Sequence, residues 1–131
     1  MNTSLTAGIE IWKKEWTSKT RPENTECVLW KNRMFHAWFL EWIGRYAPEE
    51  KVLESYIYGP FEQEVYTQIE PGVLRRIAED LIDHRLDVCD GYHGFIDAED
   101  YPYAEQYGRL FMALLGKLQE GEMLVYYNCG D

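Results

Sequence analysis

Apolar positions along this chain recur at two periods, and the changes of period mark out its elements. Gly8-Ile9-Glu10-Ile11-Trp12 alternates apolar with polar residues and predicts a short strand. Thr17 to Thr25 is polar, holds Pro22, and predicts a loop. Glu26 to Trp30 predicts a second strand, expected beside the first because consecutive strands usually neighbour one another. From about Asn32 to Ala47 the period lengthens to that of a helix. Met34, Phe35, Trp38, Phe39, Trp42, Ile43 and Tyr46 then share one face. Asn32 suits the N-cap, and Pro48 cannot continue the helix without kinking it. A face this aromatic is either a core wall or a binding wall.

Pro48 to Tyr58 supports two readings. Glu49 to Glu54 has the composition of one or two helical turns, whereas Tyr56-Ile57-Tyr58 suits a strand that Gly59-Pro60 breaks. Glu64 to Ile69 alternates and predicts a strand. Glu70-Pro71-Gly72 then opens a helix that ends near Arg85, with Pro in the first turn and Val73, Leu74, Ile77, Leu81 and Ile82 as its buried stripe. Leu86 to Tyr101 is the longest irregular stretch. Pro102 starts the last helix, with Tyr107, Leu110, Phe111, Leu114, Leu115 and Leu118 on one side and Gly121 as its C-terminal stop. Met123 to Tyr127 predicts a terminal strand, followed by a tail from Asn128 to Asp131. Each helix has one apolar stripe to cover. The expected fold is α+β, with three amphipathic helices packed on a small, mostly antiparallel sheet of short strands.

Length and composition refine this. The 131 residues suit a single globular domain over 1–131 that buries roughly two thirds of its unfolded surface. Cys27, Cys89 and Cys129 are odd in number and lack a CxxC spacing, which points to free thiols in a reducing compartment. The first residues lack the charge and apolar run of a leader, and no stretch approaches the roughly 20 apolar residues of a membrane span. A cytoplasmic protein with no membrane partner is the expectation.

Charge changes the picture most. Residues 1 to 50 hold seven Lys/Arg against seven Asp/Glu, whereas residues 51 to 131 hold six against sixteen, so the whole net charge of −10 belongs to the C-terminal part. Such a surface repels nucleic acid and attracts basic partners.

The order of elements resembles a family of small phage- and prophage-encoded proteins with a His-x-Trp-Phe helix, a Gly-Phe loop and a C-terminal Tyr-Tyr strand. The matching residues are Trp30, Lys31, His36-Ala37-Trp38-Phe39, Ile69-Glu70-Pro71 leading into Val73-Leu74, Gly94-Phe95, Tyr101, Tyr103 and Tyr126-Tyr127, over about residues 26 to 127. The first 25 residues and the tail Asn128 to Asp131 depart from that pattern. The resemblance implies a phage context in a bacterial host cell and brings no activity with it.

Four groups of residues carry candidate chemistry. The leading one is the acidic, Tyr-rich set Asp87, Asp90, Tyr92, Asp97, Glu99, Asp100, Tyr101 and Tyr103. Tyr gives interface area at low entropic cost, and carboxylates spread over a surface can occupy a groove built for phosphates. This set predicts a non-catalytic acidic protein that blocks a basic, nucleic-acid-handling surface of a host protein or nucleoprotein complex, of the anti-CRISPR or anti-restriction kind. It would not contact nucleic acid directly, and a homodimer is compatible with it. The second group is Trp30, Lys31, Asn32, Arg33, His36 and Trp38, where two cations at a helix start and a stacking ring would suit a small, nucleotide-like ligand. The third is Asp83, His84, Asp87, Cys89, Asp90, His93 and Asp97, metal-ligating types whose spacing matches no zinc signature. No metal or cofactor is expected from it. Fourth, His36, His84 and His93 lack a nucleophile motif or Gly-rich phosphate loop beside them, so an enzyme is the least favoured class.

Overall fold

Alternation along the strands sends two unlike sets of side chains to the two faces of one sheet. The computed structural model describes residues 6–31, 33–47, 49, 51–60, 62–85 and 101–130. Chain order is β1 (Thr6–Lys13), β2 (Cys27–Trp30), α1 (Arg33–Tyr46), β3 (Lys51–Gly59), β4 (Glu62–Ile69), α2 (Pro71–Ile82), α3 (Tyr101–Lys117) and β5 (Glu122–Gly130). The five strands lie in the order β2-β1-β5-β4-β3, and each neighbouring pair is antiparallel. The fold is therefore α+β, as the periodicities imply.

All three helices described cover the same face. Phe35, Trp38, Phe39 and Trp42 of α1, Leu74, Ile77 and Leu81 of α2, and Phe111 and Leu114 of α3 join Ile9, Ile11, Trp30, Ile69, Leu124 and Tyr126 from the strands in one buried core. The aromatic face of α1 is thus a core wall. Trp30 is its hub: the rings of Phe35 and Phe39 lie 5.1 and 5.0 Å from it, in tilted or edge-on contact. Gly108 lets α2 and α3 approach closely, because a Cβ there would meet the Ala78 carbonyl oxygen at 2.9 Å and Leu81 Cβ at 3.0 Å. Helix α2 opens as expected, with Glu70 at the N-cap position and Pro71 in its first turn.

Three local expectations need correction. The 49–54 stretch is not helical where it is described: β3 runs from Lys51 and pairs with β4 from Lys51↔Gln68 to Gly59↔Glu62, with register shifts near each end. Hairpin pairing overrides the helical composition of this acidic segment. The tail at Asn128 and Cys129 is strand as well. It lies between β1 and β4, where Asn128 pairs with Ala7 and Val65, and Cys129 with Thr6 and Glu64. Finally, α3 ends at Lys117, so Gly121 does not cap it. With φ +83°, Gly121 instead serves the turn into β5.

Candidate functional site

The other face of the sheet carries Glu10 and Trp12 of β1, Tyr66 of β4, and Met123, Val125 and Tyr127 of β5. No helix described here covers it. The segment 14–26, between β1 and β2, folds across instead and reaches as far as β3. Its ends are tied down by Lys14 N–H donating to the Gly121 carbonyl and by the Thr25 hydroxyl donating to the Ile11 carbonyl. Midway, a turn forms in which the Thr20 and Arg21 amides donate to the Thr17 carbonyl. Ser18 then fastens this turn to β3: its amide and hydroxyl donate to the Glu54 carboxylate at 2.7 and 3.0 Å. Tyr56 O–H donates to the same carboxylate at 2.6 Å. Burial alone would raise the Glu54 pKa, but these hydrogen bonds, together with the nearby Arg21 charge, outweigh it and hold the carboxyl below its ordinary range.

The turn delivers Arg21 into a cage. Its guanidinium carbon lies 5.5 Å from the ring centre of Trp12, 5.3 Å from that of Tyr66 and 5.4 Å from that of Tyr127. It also forms an ion pair with Glu10. Strand register holds the rings in place. Tyr66 and Tyr127 are direct cross-strand partners stacked at 5.2 Å, and Trp12 lies 5.3 Å from Tyr66. Tyr66 O–H donates to Glu64 at 3.0 Å. Glu10 is only 6% exposed, so burial pushes its carboxyl above the ordinary range and the Arg21 charge offsets only part of that rise. Chemically, this is a carboxylate with three aromatic faces around a planar cation, a set of groups that recognises guanidinium by charge and by stacking.

The sequence-derived sites fall elsewhere. Asp87, Asp90, Tyr92, Asp97, Glu99 and Asp100 lie outside the described residues, and of Tyr101 and Tyr103 only the backbone, in the first turn of α3, is described. Among the metal-ligating types, Asp87, Cys89, Asp90, His93 and Asp97 also lie outside them. Asp83 bonds Arg85 at 2.9 Å, and His84 Nε2 lies 3.8 Å from Glu105. In the helix-start group, Lys31 is exposed, Asn32 is outside the described residues, and only the backbone of Arg33 is described. Trp30 and Trp38, at 2% and 4% exposure, have their rings committed to the core and offer no face for a base to stack on. His36 Nδ1 shares a 2.8 Å hydrogen bond with the Tyr126 hydroxyl. Burial raises the Tyr126 pKa far enough to keep that hydroxyl neutral.

No local pattern in the sequence marks the cage as a whole, because Arg21 and Glu10 meet only through the fold. One signal was present. In β1, Trp12 falls on the same alternation phase as Glu10, opposite to the core residues Ile9 and Ile11, and so large a ring on the outward phase implies a second cluster.

Comparison of this chain with protein-family profiles, with curated proteins and with solved structures finds no match. Among the described residues, no helix is long and apolar enough to cross a membrane.

Proposed function

We propose that this is a non-catalytic binding protein whose carboxylate-rich C-terminal part seats on a basic surface of another macromolecule, one that ordinarily handles nucleic acid. The supporting observation is the imbalance of charge between the two parts of the chain. Arg21–Glu10 and Arg45–Glu41 stay within residues 1 to 50. Arg76–Asp80, Arg85–Asp80, Arg85–Asp83 and Arg109–Glu105 stay within the later part. The described pair that joins the two, Lys117–Glu26, spends a cation of the later part on an acid of the earlier one. Pairing within the later part cannot cancel its surplus, because its six Lys/Arg stand against sixteen Asp/Glu. Such a surplus raises encounter rates with cationic surfaces and suppresses contact with nucleic acid itself. The phage-like order of motifs directs this reading toward a host defence complex, with the chain as an inhibitor of the anti-CRISPR or anti-restriction kind.

Affinity capture on the immobilised chain from a bacterial lysate, in salt of about 0.1 M and then about 1 M, tests this. The Debye length falls from about 10 to about 3 Å across that change. A partner held at low salt should be released at high salt and by added duplex DNA or RNA. It should also be lost from a variant combining Asp97→Asn, Glu99→Gln and Asp100→Asn. Capture that is indifferent to nucleic acid and to these substitutions would refute the proposal.

A further inference from the structure

The four groups that receive the Arg21 guanidinium belong to the sheet, whereas Arg21 belongs to a loop. Glu10 and Trp12 stand on β1, Tyr127 on β5 and Tyr66 on β4, three adjacent strands whose pairing sets the spacing of the cage. Regular strands hold a constellation more firmly than a loop does. We propose that Glu10, Trp12, Tyr66 and Tyr127 form a binding site for the arginine side chain of a partner, and that Arg21 is its internal occupant, displaced when the partner's arginine enters.

Three observations carry this. First, the chemistry is selective. A guanidinium is planar and weakly hydrated, so it gains from ring faces on several sides and from a carboxylate at its edge. Three rings at 5.3–5.5 Å and one buried carboxylate supply both. Second, the site reaches solvent through its occupant, since the Arg21 side chain is 23% exposed. Third, the occupant is held by a latch that can open. Between the ends tied at Gly121 and Ile11, polar contacts seat the loop on the sheet, Ser18 on Glu54, Arg21 on Glu10 and Lys19 over the Tyr56 ring, while Trp16 packs on the cluster near its start. Beside its returning limb, an open cleft of about 660 Å³, lined in part by Trp16, Pro22, Thr25 and Lys117, leaves room for the segment to shift. A purely structural role is a weak reason for such an arrangement, because an internal ion pair of this kind seldom stabilises a fold more than apolar packing would. The raised Glu10 carboxyl agrees: Arg21 does not fully offset the burial of its partner. The site uses no residue of 87–100, so it stands or falls separately from the inhibitor reading.

Titration with acetyl-arginine amide, followed by the Trp12 indole N–H resonance, tests the proposal, with acetyl-citrulline amide as the neutral isostere. A tethered occupant competes at an effective concentration in the millimolar range. Removing it with Arg21→Ala should therefore tighten arginine binding by about tenfold or more, since the open fraction of the site rises. Glu54→Ala leaves both Arg21 and the cage in place and removes the acceptor of both Ser18 bonds, which releases the latch. It should tighten binding a few-fold, and it keeps the test decisive if Arg21→Ala does not fold. Adding Glu10→Gln to either background should abolish binding, and citrulline should not bind at all. Arginine binding no tighter in Glu54→Ala or Arg21→Ala than in the parent chain would overturn the proposal, as would equal binding of citrulline.

Discussion

Ile9, Ile11, Leu124 and Tyr126 face three helices, while Glu10, Trp12, Val125 and Tyr127, their immediate neighbours in the same strands, face a loop. The helix side is closed by interlocking rings. Trp30, Phe35, Phe39, Trp42 and Phe111 are all buried there, and Tyr126 of the sheet shares a hydrogen bond with His36 of α1. The loop side is also aromatic, but its rings surround a charge and its closure rests on carboxylates. The difference lies in what each cover can do. A helix brings an apolar stripe that excludes water outright. A polar loop has no such stripe, so beyond the packing of Trp16 it holds the sheet by ion pair, ring–cation contact and hydrogen bond, and those contacts exchange more readily than a packed core.

The sharpest way to break this contrast is on the helix side. Phe39 is fully buried and touches Trp30, Trp42, Phe111 and Tyr126. Phe39→Ala should cost about 3–5 kcal/mol in urea unfolding, from lost transfer energy plus a cavity that the surrounding rings cannot fill. A loss below about 1 kcal/mol would mean that this face is not the rigid one.

Most of the helix side was legible in the sequence and most of the loop side was not. The stripes of α1, α2 and α3 repeat at helical period, and a repeat survives without knowledge of partners. The edge strand β3 was half hidden. Both of its faces are largely open, so Val52, Ile57 and Tyr58 impose no alternation, and the acidic residues around them look helical. The end of β5 was hidden for the opposite reason: Asn128 and Cys129 look like a tail, and only their pairing on both sides makes them strand. The cage depends on residues from β1, β4, β5 and a loop meeting in space, and no local pattern encodes such a meeting. The six acidic and tyrosine positions from Asp87 to Asp100 lie outside the described residues.

Next in size is the cage itself, where the two partners of one ion pair should behave unequally. Arg21→Met removes the cation and leaves the Glu10 carboxylate buried without compensation. It should cost about 2 kcal/mol at neutral pH, below the value for a fully enclosed pair because Arg21 is partly exposed. Glu10→Gln removes a carboxylate whose burial is already unfavourable, and its cost should stay under about 1 kcal/mol. Urea midpoints of the two variants decide it. Equal losses would make the pair an ordinary symmetric salt bridge and would erase the distinction between the two faces.

The smallest effect is one of pH, and it separates the two carboxylates that hold the loop. An unperturbed Glu titrates near about 4.3. The folded-state pKa of Glu54 lies below its unfolded value, so the unfolded chain takes up the proton first. Its stabilising contribution is present above about pH 4.3 and is lost as the pH falls through the depressed folded value. The folded-state pKa of Glu10 lies above its unfolded value. Between about pH 4.3 and that raised value, the folded chain binds the extra proton, and stability from this group rises as the pH falls. The parent chain should therefore lose ground to Glu54→Gln, and gain ground on Glu10→Gln, as urea unfolding is repeated from pH 7 down to about pH 3. Opposite slopes follow from opposite surroundings: one carboxylate stands at the rim among donors, the other beneath a cation between rings. If both differences move in the same direction, Glu10 is not the desolvated group that the cage requires, and the loop is held by two equivalent surface contacts.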